Sequence, residues 1–295
     1  MKKVLLSVLN VFIALCVVAQ EYVPTPADIE HFYKTKTLIV KEKNPICDYN
    51  LALSEVIAKE WKITPYEFIE LKDFEEKRMD PQYSFLFLNQ VRFDLDKTKA
   101  VFNFISLLLG GNETVIGNMP DLCSVPLSYR DVDEESYSYK LPVLLRFIQN
   151  HVELITKNPD LISRNIFKLY NDSMGDIRKK TLYIIQSELA KDCNSESKLK
   201  AIYPYKFKIT TKEEIASIIE KRDESAVFLH KVGPEGTKFR SRCYKIVIGA
   251  ADAKFYYFDF HDIDEAKKKP DGMMASDFKA IAKMCAKMDK KDAKK

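Results

Sequence analysis

An internal repeat constrains the fold of this 295-residue chain more than any other feature. The segment WKITPYEFIELKDFEEKR (61–78) returns as KFKITTKEEIASIIEKR (206–222). Shorter matches follow the same order along the chain: Lys36-Thr37-Leu38 with Lys180-Thr181-Leu182, Phe87-Leu88 with Phe228-Leu229, and Gly110 with Gly249. The offset falls from 144 to 139 residues, the pattern that small loop deletions leave in a duplicated unit. We therefore predict two similar units.

Hydrophobic periodicity predicts the same elements in both copies. Each copy begins with a short apolar strand, continues with a helix, a second strand and a short helix, and closes with two strands. The last strand of the first copy, over 99–109, is apolar on both faces, which is typical of a strand covered from two sides. The predicted fold class is α/β (α+β), a tandem duplication of a β-α-β-α-β-β sandwich unit with a helical hairpin between the copies.

These patterns divide the chain into five parts. The hairpin is predicted from apolar stripes on either side of the break at Asn158-Pro159. The C-terminal helix is predicted from an apolar stripe that alternates with lysines. The predicted parts are a signal peptide (1–19), the first α/β repeat (20–111), the linker and helical hairpin (112–175), the second α/β repeat (176–265), and the C-terminal helix with a basic tail (266–295).

The first residues have the pattern of an export signal. Two lysines precede an apolar run over 4–18, and Val17 and Ala19 occupy the small-residue positions before a cleavage site. The run is shorter than the roughly 20 apolar residues that a membrane-spanning helix needs. We expect cleavage before Gln20 or Glu21 and an exported protein, periplasmic or surface-associated.

Composition excludes one class of partner. The chain has 47 basic and 43 acidic residues, and its net charge of +4 falls to about +2 once the two lysines of the signal peptide are removed. This balance provides no overall field to attract nucleic acid, so we expect no nucleic-acid partner. Five cysteines follow residue 19, and no two of them form a C-x-x-C pair. The odd number favours free thiols over a disulfide framework or a zinc site.

Motifs for catalysis or metal binding are scarce. On a strand over 255–265, Asp259 and His261 share one face and are the candidate metal ligands, although a strand end is favoured because a metal site needs more ligands. His230 is expected to point outward from a strand beside Lys231. The four histidines stand in no known catalytic motif, so no catalytic residue and no cofactor is predicted.

Two resemblances add an expectation of function. The signal ending in Ala-Gln and the phrases DYNLAL, ITPYEF and VPLSY look like those of secreted Bacteroidetes proteins with no assigned activity. The β-α-β-α-β-β order is similar to that of the periplasmic domain of the curli-secretion channel and the N-terminal domain of the Tol-system translocation protein. That resemblance, one of fold, implies a small envelope domain that recognises other proteins.

Together these features predict an exported cell-envelope protein with a non-enzymatic binding or scaffold role toward another envelope component. The expected partner is another envelope protein. The alternatives are an exported hydrolase with its site in the cleft between the units, and a small-ligand or glycan-binding protein that uses the same cleft. A deep cleft with convergent His, Asp or Ser groups would favour the hydrolase, and an exposed apolar patch would favour a protein partner. The basic C-terminal helix either docks on the fold or touches an anionic membrane surface. No oligomeric state is predicted.

Overall fold

The computed structural model describes residues 23–93, 98–162, 167–234 and 241–294. The predicted signal peptide, residues 1–19, lies outside this part of the chain. Within the described residues, eight α-helices and two five-stranded mixed sheets confirm the predicted α/β class with two units.

The first unit contains one sheet and four helices. Its strands pair in the order β2-β1-β3-β4-β5, with β1 parallel to β2 and β3 and the other pairs antiparallel. The strands are β1 (Lys36–Lys41), β2 (Tyr66–Glu70), β3 (Tyr83–Val91), β4 (Phe102–Leu109) and β5 (Asp121–Tyr129). The helices are α1 (Pro26–Phe32), α2 (Asp48–Glu60), α3 (Leu71–Lys77) and α4 (Leu141–Lys157).

The second unit repeats this topology. Its strands pair in the order β7-β6-β8-β9-β10. Strand β6 is parallel to β7 and β8, and the pairs β8–β9 and β9–β10 are antiparallel. The strands are β6 (Thr181–Ile185), β7 (Phe207–Thr210), β8 (Ala226–Val232), β9 (Arg242–Gly249) and β10 (Phe255–Asp262). The helices are α5 (Phe167–Asn171), α6 (Glu196–Lys200), α7 (Lys212–Glu220) and α8 (Ala275–Asp292).

Each unit is longer than the predicted one. The β-α-β-α-β-β order is present in both halves, and each copy then adds one strand and one helix, β5 with α4 and β10 with α8. Strand β5 lies inside the range 112–175, which was predicted as a linker and a helical hairpin. Its Pro126 weakens the strand pattern, but β5 is an edge strand, where a proline is tolerated. Where a hairpin of two helices is predicted, the structure has one long helix, α4, and the short helix α5.

Helix α4 joins the two units. Its buried side chains lie on nearly all sides, as expected for a helix enclosed by protein. One apolar cluster contains these side chains together with the inner faces of both sheets, including Ile105 of β4 and Ile246 of β9. The Arg146 guanidinium donates hydrogen bonds to the carbonyls of Ala250 (2.9 Å) and Ala251 (2.8 Å) in the turn before β10. The charged residue in the middle of α4 is therefore satisfied by the second unit.

The units pack with unlike faces together. The inner face of the first sheet is covered by α2, through Leu53 and Ile57, whereas the inner face of the second sheet is covered by α7, through Ile215 and Ile219. These two helices are not equivalent in the repeat, since α2 follows the first strand of its unit and α7 follows the second. The packing therefore relates the copies head to tail and not by a two-fold axis.

Close contacts explain why glycine stands at the two glycine positions matched in the repeat. Gly110 follows β4, whereas Gly249 is the last residue of β9 and lies opposite Val227 of β8. A Cβ atom at Gly110 would overlap the carbonyl oxygens of Asp80 and Tyr83, and one at Gly249 would overlap the Asp252 side chain. The two glycines therefore meet different neighbours, and the sequence match between them does not correspond to equivalent positions in the two sheets.

Helix α8 docks on the outer face of the second sheet. Phe278, Ile281 and Cys285 of its apolar stripe are fully buried there, while Lys279 and Lys283 are exposed. The five cysteines of the described residues form no disulfide with one another. No helix in this part of the chain has the length and apolar character to cross a bilayer.

Candidate functional site

A large cavity opens where the two units meet. We call it the polar cleft; its volume is about 1020 Å³. One wall comes from residues within 127–140 of the first unit. The other comes from the second unit and includes 185–189, 210–213, Lys231 and Asp271.

The topology of the second sheet positions the polar cleft. Strands β6, β7 and β8 run parallel, so their carboxyl ends at Ile185, Thr210 and Val232 lie at the same edge of the sheet. The chain after β6 crosses the outer face through α6, and the chain after β7 crosses the inner face through α7. In open α/β sheets, ligands bind outside the carboxyl ends of the strands at the point where the connections diverge in this way. The polar cleft occupies that position.

The first-unit wall carries aromatic rings and hydroxyl groups. Tyr137 and Tyr139 lie in the segment between β5 and α4, next to Ser128 and Ser136. Burial raises the pKa of Tyr137 and of Tyr139, so both phenols stay protonated. Each protonated phenol offers one donor and one acceptor.

The second-unit wall carries amides and hydroxyls on two loops. Gln186 and Ser187 belong to a 3₁₀ turn (Gln186–Glu188) directly after β6, and both are exposed. The Gln186 Nε2 atom donates to the carbonyl of Asn194 at 3.0 Å. Thr210 and Thr211 lead into α7 on the neighbouring loop. Polar groups of both units therefore converge on one cleft.

A buried ion pair crosses the polar cleft. Lys140 of the first unit is 2% exposed, and its Nζ atom lies 3.1 Å from Glu188 of the second unit. Burial lowers the pKa of Lys140, but the attraction of Glu188 and Tyr139 outweighs it and the net pKa is raised. The ammonium group is therefore charged, and it also lies 5.3 Å from the centre of the Tyr139 ring. The ion pair between Lys140 and Glu188 therefore connects the two units at the bottom of the polar cleft.

The other lysines of the cleft are paired too. Lys231 lies 2.7 Å from Asp271, and Lys212 lies 2.8 Å from Glu135 across the two units. The α7 N-terminus carries Glu213, whose pKa is lowered by hydrogen bonds to Thr211 and to its own backbone N–H. The cleft therefore holds many polar groups with balanced charge.

Within the described residues, the walls of the polar cleft assemble no serine–histidine pair. No histidine lines it among the described residues, and no serine of its walls hydrogen bonds to one there. Ser136 donates to the Asp133 carbonyl at 2.7 Å, and Ser128 accepts a hydrogen bond from Asn103 at 2.9 Å. Hydrolysis by an activated serine requires a base in hydrogen-bond reach of the nucleophile.

The two predicted metal candidates lie on the outer face of β10. Asp259 lies 3.5 Å from Lys245, and the His261 Nε2 atom donates to the carbonyl of Pro270 at 2.8 Å. The described residues include no set of three His, Cys, Asp or Glu side chains placed to hold a metal ion. Asp259 and His261 thus each bind a neighbour within the protein.

These residues belong to a buried polar network that sequence reasoning missed. The Lys245 ammonium lies 2.7 Å from Asp277, which also accepts a hydrogen bond from the Tyr257 hydroxyl at 2.9 Å. Lys231, at the polar cleft, is the cross-strand neighbour of Lys245. A lysine inside the apolar strand RCYKIVIG was the available signal, but its partner lies 32 residues away.

His230 is buried and does not point outward as predicted. Its side chain is completely buried, and its Nε2 atom donates to the carbonyl of Pro126 in β5 at 2.9 Å. Burial and the nearby charge of Lys140 lower the pKa of His230 to about 3, so the ring is neutral. The prediction failed because the inner face of β8 is covered by the edge of the first sheet. His230 is a contact between the units.

Comparison with protein-family models, with curated proteins and with solved structures finds no match to this chain.

Proposed function

We propose that this protein is an exported binding protein of the cell envelope, without catalysis of its own, and that its ligand occupies the polar cleft. The observation that carries the proposal is the position of the cleft. It lies outside the carboxyl ends of three parallel strands and is closed by the neighbouring unit. Export rests on the sequence pattern of residues 1–19.

The chemistry of the walls favours a neutral polyhydroxyl ligand, such as an oligosaccharide. The ion pairs of Lys140, Lys212 and Lys231 leave little net charge to attract an ionic ligand. The exposed amide of Gln186 and the hydroxyl of Ser187 can both donate and accept hydrogen bonds, as sugar hydroxyls require. The tyrosine rings of the opposite wall can cover the apolar face of a sugar.

An envelope glycan would unite two of the sequence-based expectations. It is an envelope component, and it is a ligand of the cleft between the units. The volume of about 1020 Å³ is at the upper end of the range that small-molecule sites occupy, so a ligand of several sugar rings suits it.

The proposal predicts saccharide binding that a single substitution in the cleft removes. Neutral tetrasaccharides with different linkages, such as maltotetraose and cellotetraose, would be titrated into the purified protein by calorimetry. Ser187→Tyr places a large side chain at an exposed position of the cleft, and we expect at least about a tenfold loss of affinity. The matched control is Ser197→Tyr, at an exposed position of α6 that does not line the cleft.

Three outcomes would contradict this proposal. If no saccharide of a broad panel binds, the glycan assignment is wrong. If Ser197→Tyr weakens binding as much as Ser187→Tyr, the site is not the polar cleft. Release of shorter saccharides during incubation, detected by mass spectrometry and lost in Ser187→Tyr, would establish the hydrolase alternative instead.

A further inference from the structure

A second cavity lies elsewhere between the units and is lined mainly by aromatic rings. We call it the aromatic cavity; its volume is about 410 Å³, and it is bounded by β5, α4, β9 and β10. Its rings come from both units and include Phe93, Phe104, Phe147, Tyr244, Phe258 and Phe260. None of its wall residues lines the polar cleft.

The rings of the aromatic cavity support one another. Phe104 and Tyr244 meet edge to face with centroids 5.9 Å apart, and Phe147 stacks on Phe255 of β10. Such pairs contribute about 0.5–1.5 kcal/mol beyond the burial of their area, so the walls resist collapse. A pocket with such walls, open to solvent on one side, can accept the apolar part of a ligand.

One cation lies at the wall of the aromatic cavity. The Arg242 guanidinium is 3.6 Å from the centre of the Phe93 ring and 5.0 Å from that of Phe260. Among the described residues it makes no ion pair within 4.0 Å and no side-chain hydrogen bond. A guanidinium stacked between rings keeps its N–H donors in one plane, the geometry that binds a carboxylate through two hydrogen bonds.

The other polar groups of the wall do not compete for an anion. The Tyr170 hydroxyl and the His151 Nδ1 atom share a hydrogen bond of 2.5 Å. Burial lowers the pKa of His151 to about 4, so that ring is neutral. Burial also raises the pKa of the Cys123 thiol. Asp121, at the start of β5, is the one carboxylate among the described wall residues. Arg242 is thus the cationic group that a ligand meets.

We infer that the aromatic cavity binds a small aromatic carboxylate, with its ring among the phenylalanines and its carboxylate on Arg242. This site is separate from the polar cleft and does not depend on the function proposed for it.

A matched pair of probes tests this inference. Calorimetric titration with 2-naphthoate and with 2-naphthalenemethanol compares an anion with a neutral molecule of the same ring. We expect 2-naphthoate to bind at least about tenfold more tightly to the unmodified protein. Arg242→Gln is expected to abolish this preference while 2-naphthalenemethanol still binds. Arg130→Gln, at an arginine outside the cavity wall, is the control and should keep it.

Further variants separate the outcomes. Arg242→Lys keeps the charge but loses the planar stacking, so we expect an intermediate preference for the anion. Ser187→Tyr should leave naphthoate binding unchanged, since it blocks only the polar cleft. The inference is overturned if neither probe binds, if Arg242→Gln keeps the preference, or if Ser187→Tyr abolishes naphthoate binding.

Discussion

Replacement of Lys245 by methionine is expected to lower the free energy of unfolding by about 3–5 kcal/mol. The Lys245 side chain is 1% exposed and lies 2.7 Å from Asp277, whose side chain is 5% exposed. Methionine fills similar volume but leaves the Asp277 carboxylate buried without its cation. That carboxylate also accepts a hydrogen bond from the Met274 backbone N–H at the start of α8 (2.8 Å). Urea unfolding followed by circular dichroism measures the loss.

The control for this experiment is an ion pair on the surface. Lys59 lies 2.7 Å from Glu55, and both side chains are more than half exposed. Lys59→Met is therefore expected to leave the free energy of unfolding nearly unchanged. The double variant Lys245→Met with Asp277→Asn should recover part of the loss, since a neutral amide needs no cation. A loss below about 1 kcal/mol in Lys245→Met would show that the pair is far better solvated than its burial indicates.

Acid is expected to destabilise the protein through His230. The pKa of this ring falls from its ordinary value of 6.5 to about 3 in the folded state, because the ring is buried and near Lys140. The unfolded chain therefore binds a proton below pH 6.5, while the folded chain does not until about pH 3. The stabilisation is complete above pH 6.5 and decreases as the pH falls. Each pH unit costs about 1.36 kcal/mol, so the loss at pH 4.5 is roughly 3 kcal/mol.

The comparison with His230→Gln isolates this contribution. Glutamine can still donate a hydrogen bond to the Pro126 carbonyl, but it does not titrate. The free energy of unfolding would be measured at pH 6.5 and pH 4.5 in both proteins. Contributions from carboxylates are common to both and cancel in the difference, so the unmodified protein should lose roughly 2 kcal/mol more. An equal loss in the two proteins would mean that His230 is protonated in the fold.

The order of elements could be predicted from the sequence because each unit is written twice. Local periodicity identifies β1 to β4 and β6 to β9, and the repeat confirms their assignment to two units. Strand β5 was not predicted, because Pro126 and the flanking polar residues weaken the alternating pattern of this edge strand. The role of α4 as the helix between the two units was not predicted, for another reason. Arg146 and Gln149 look like a solvent-facing side, but their partners, including the Ala250 carbonyl, lie in distant parts of the chain.

The candidate site was beyond sequence reasoning, since folding assembles it from distant segments. Lys140 and Glu188 are 48 residues apart, and neither stands in a motif. One local signal was present and misinterpreted: the strand AVFLHKV places His230 and Lys231 in an otherwise apolar run. Polar residues in such a run are buried and need partners, whereas we expected His230 to face solvent.

Because α4 precedes the second unit in the chain, it is synthesised before the residues that later cover it. The chain completes its first unit when α4 is made, and N-terminal domains commonly fold first during synthesis. At that moment the surface of α4 that later meets Phe255 and the Ala250 turn has no cover. Until roughly a hundred further residues have been synthesised, this apolar surface of α4 is therefore exposed in the nascent protein. We expect the risk of aggregation to be highest in the interval before the second unit folds and buries it.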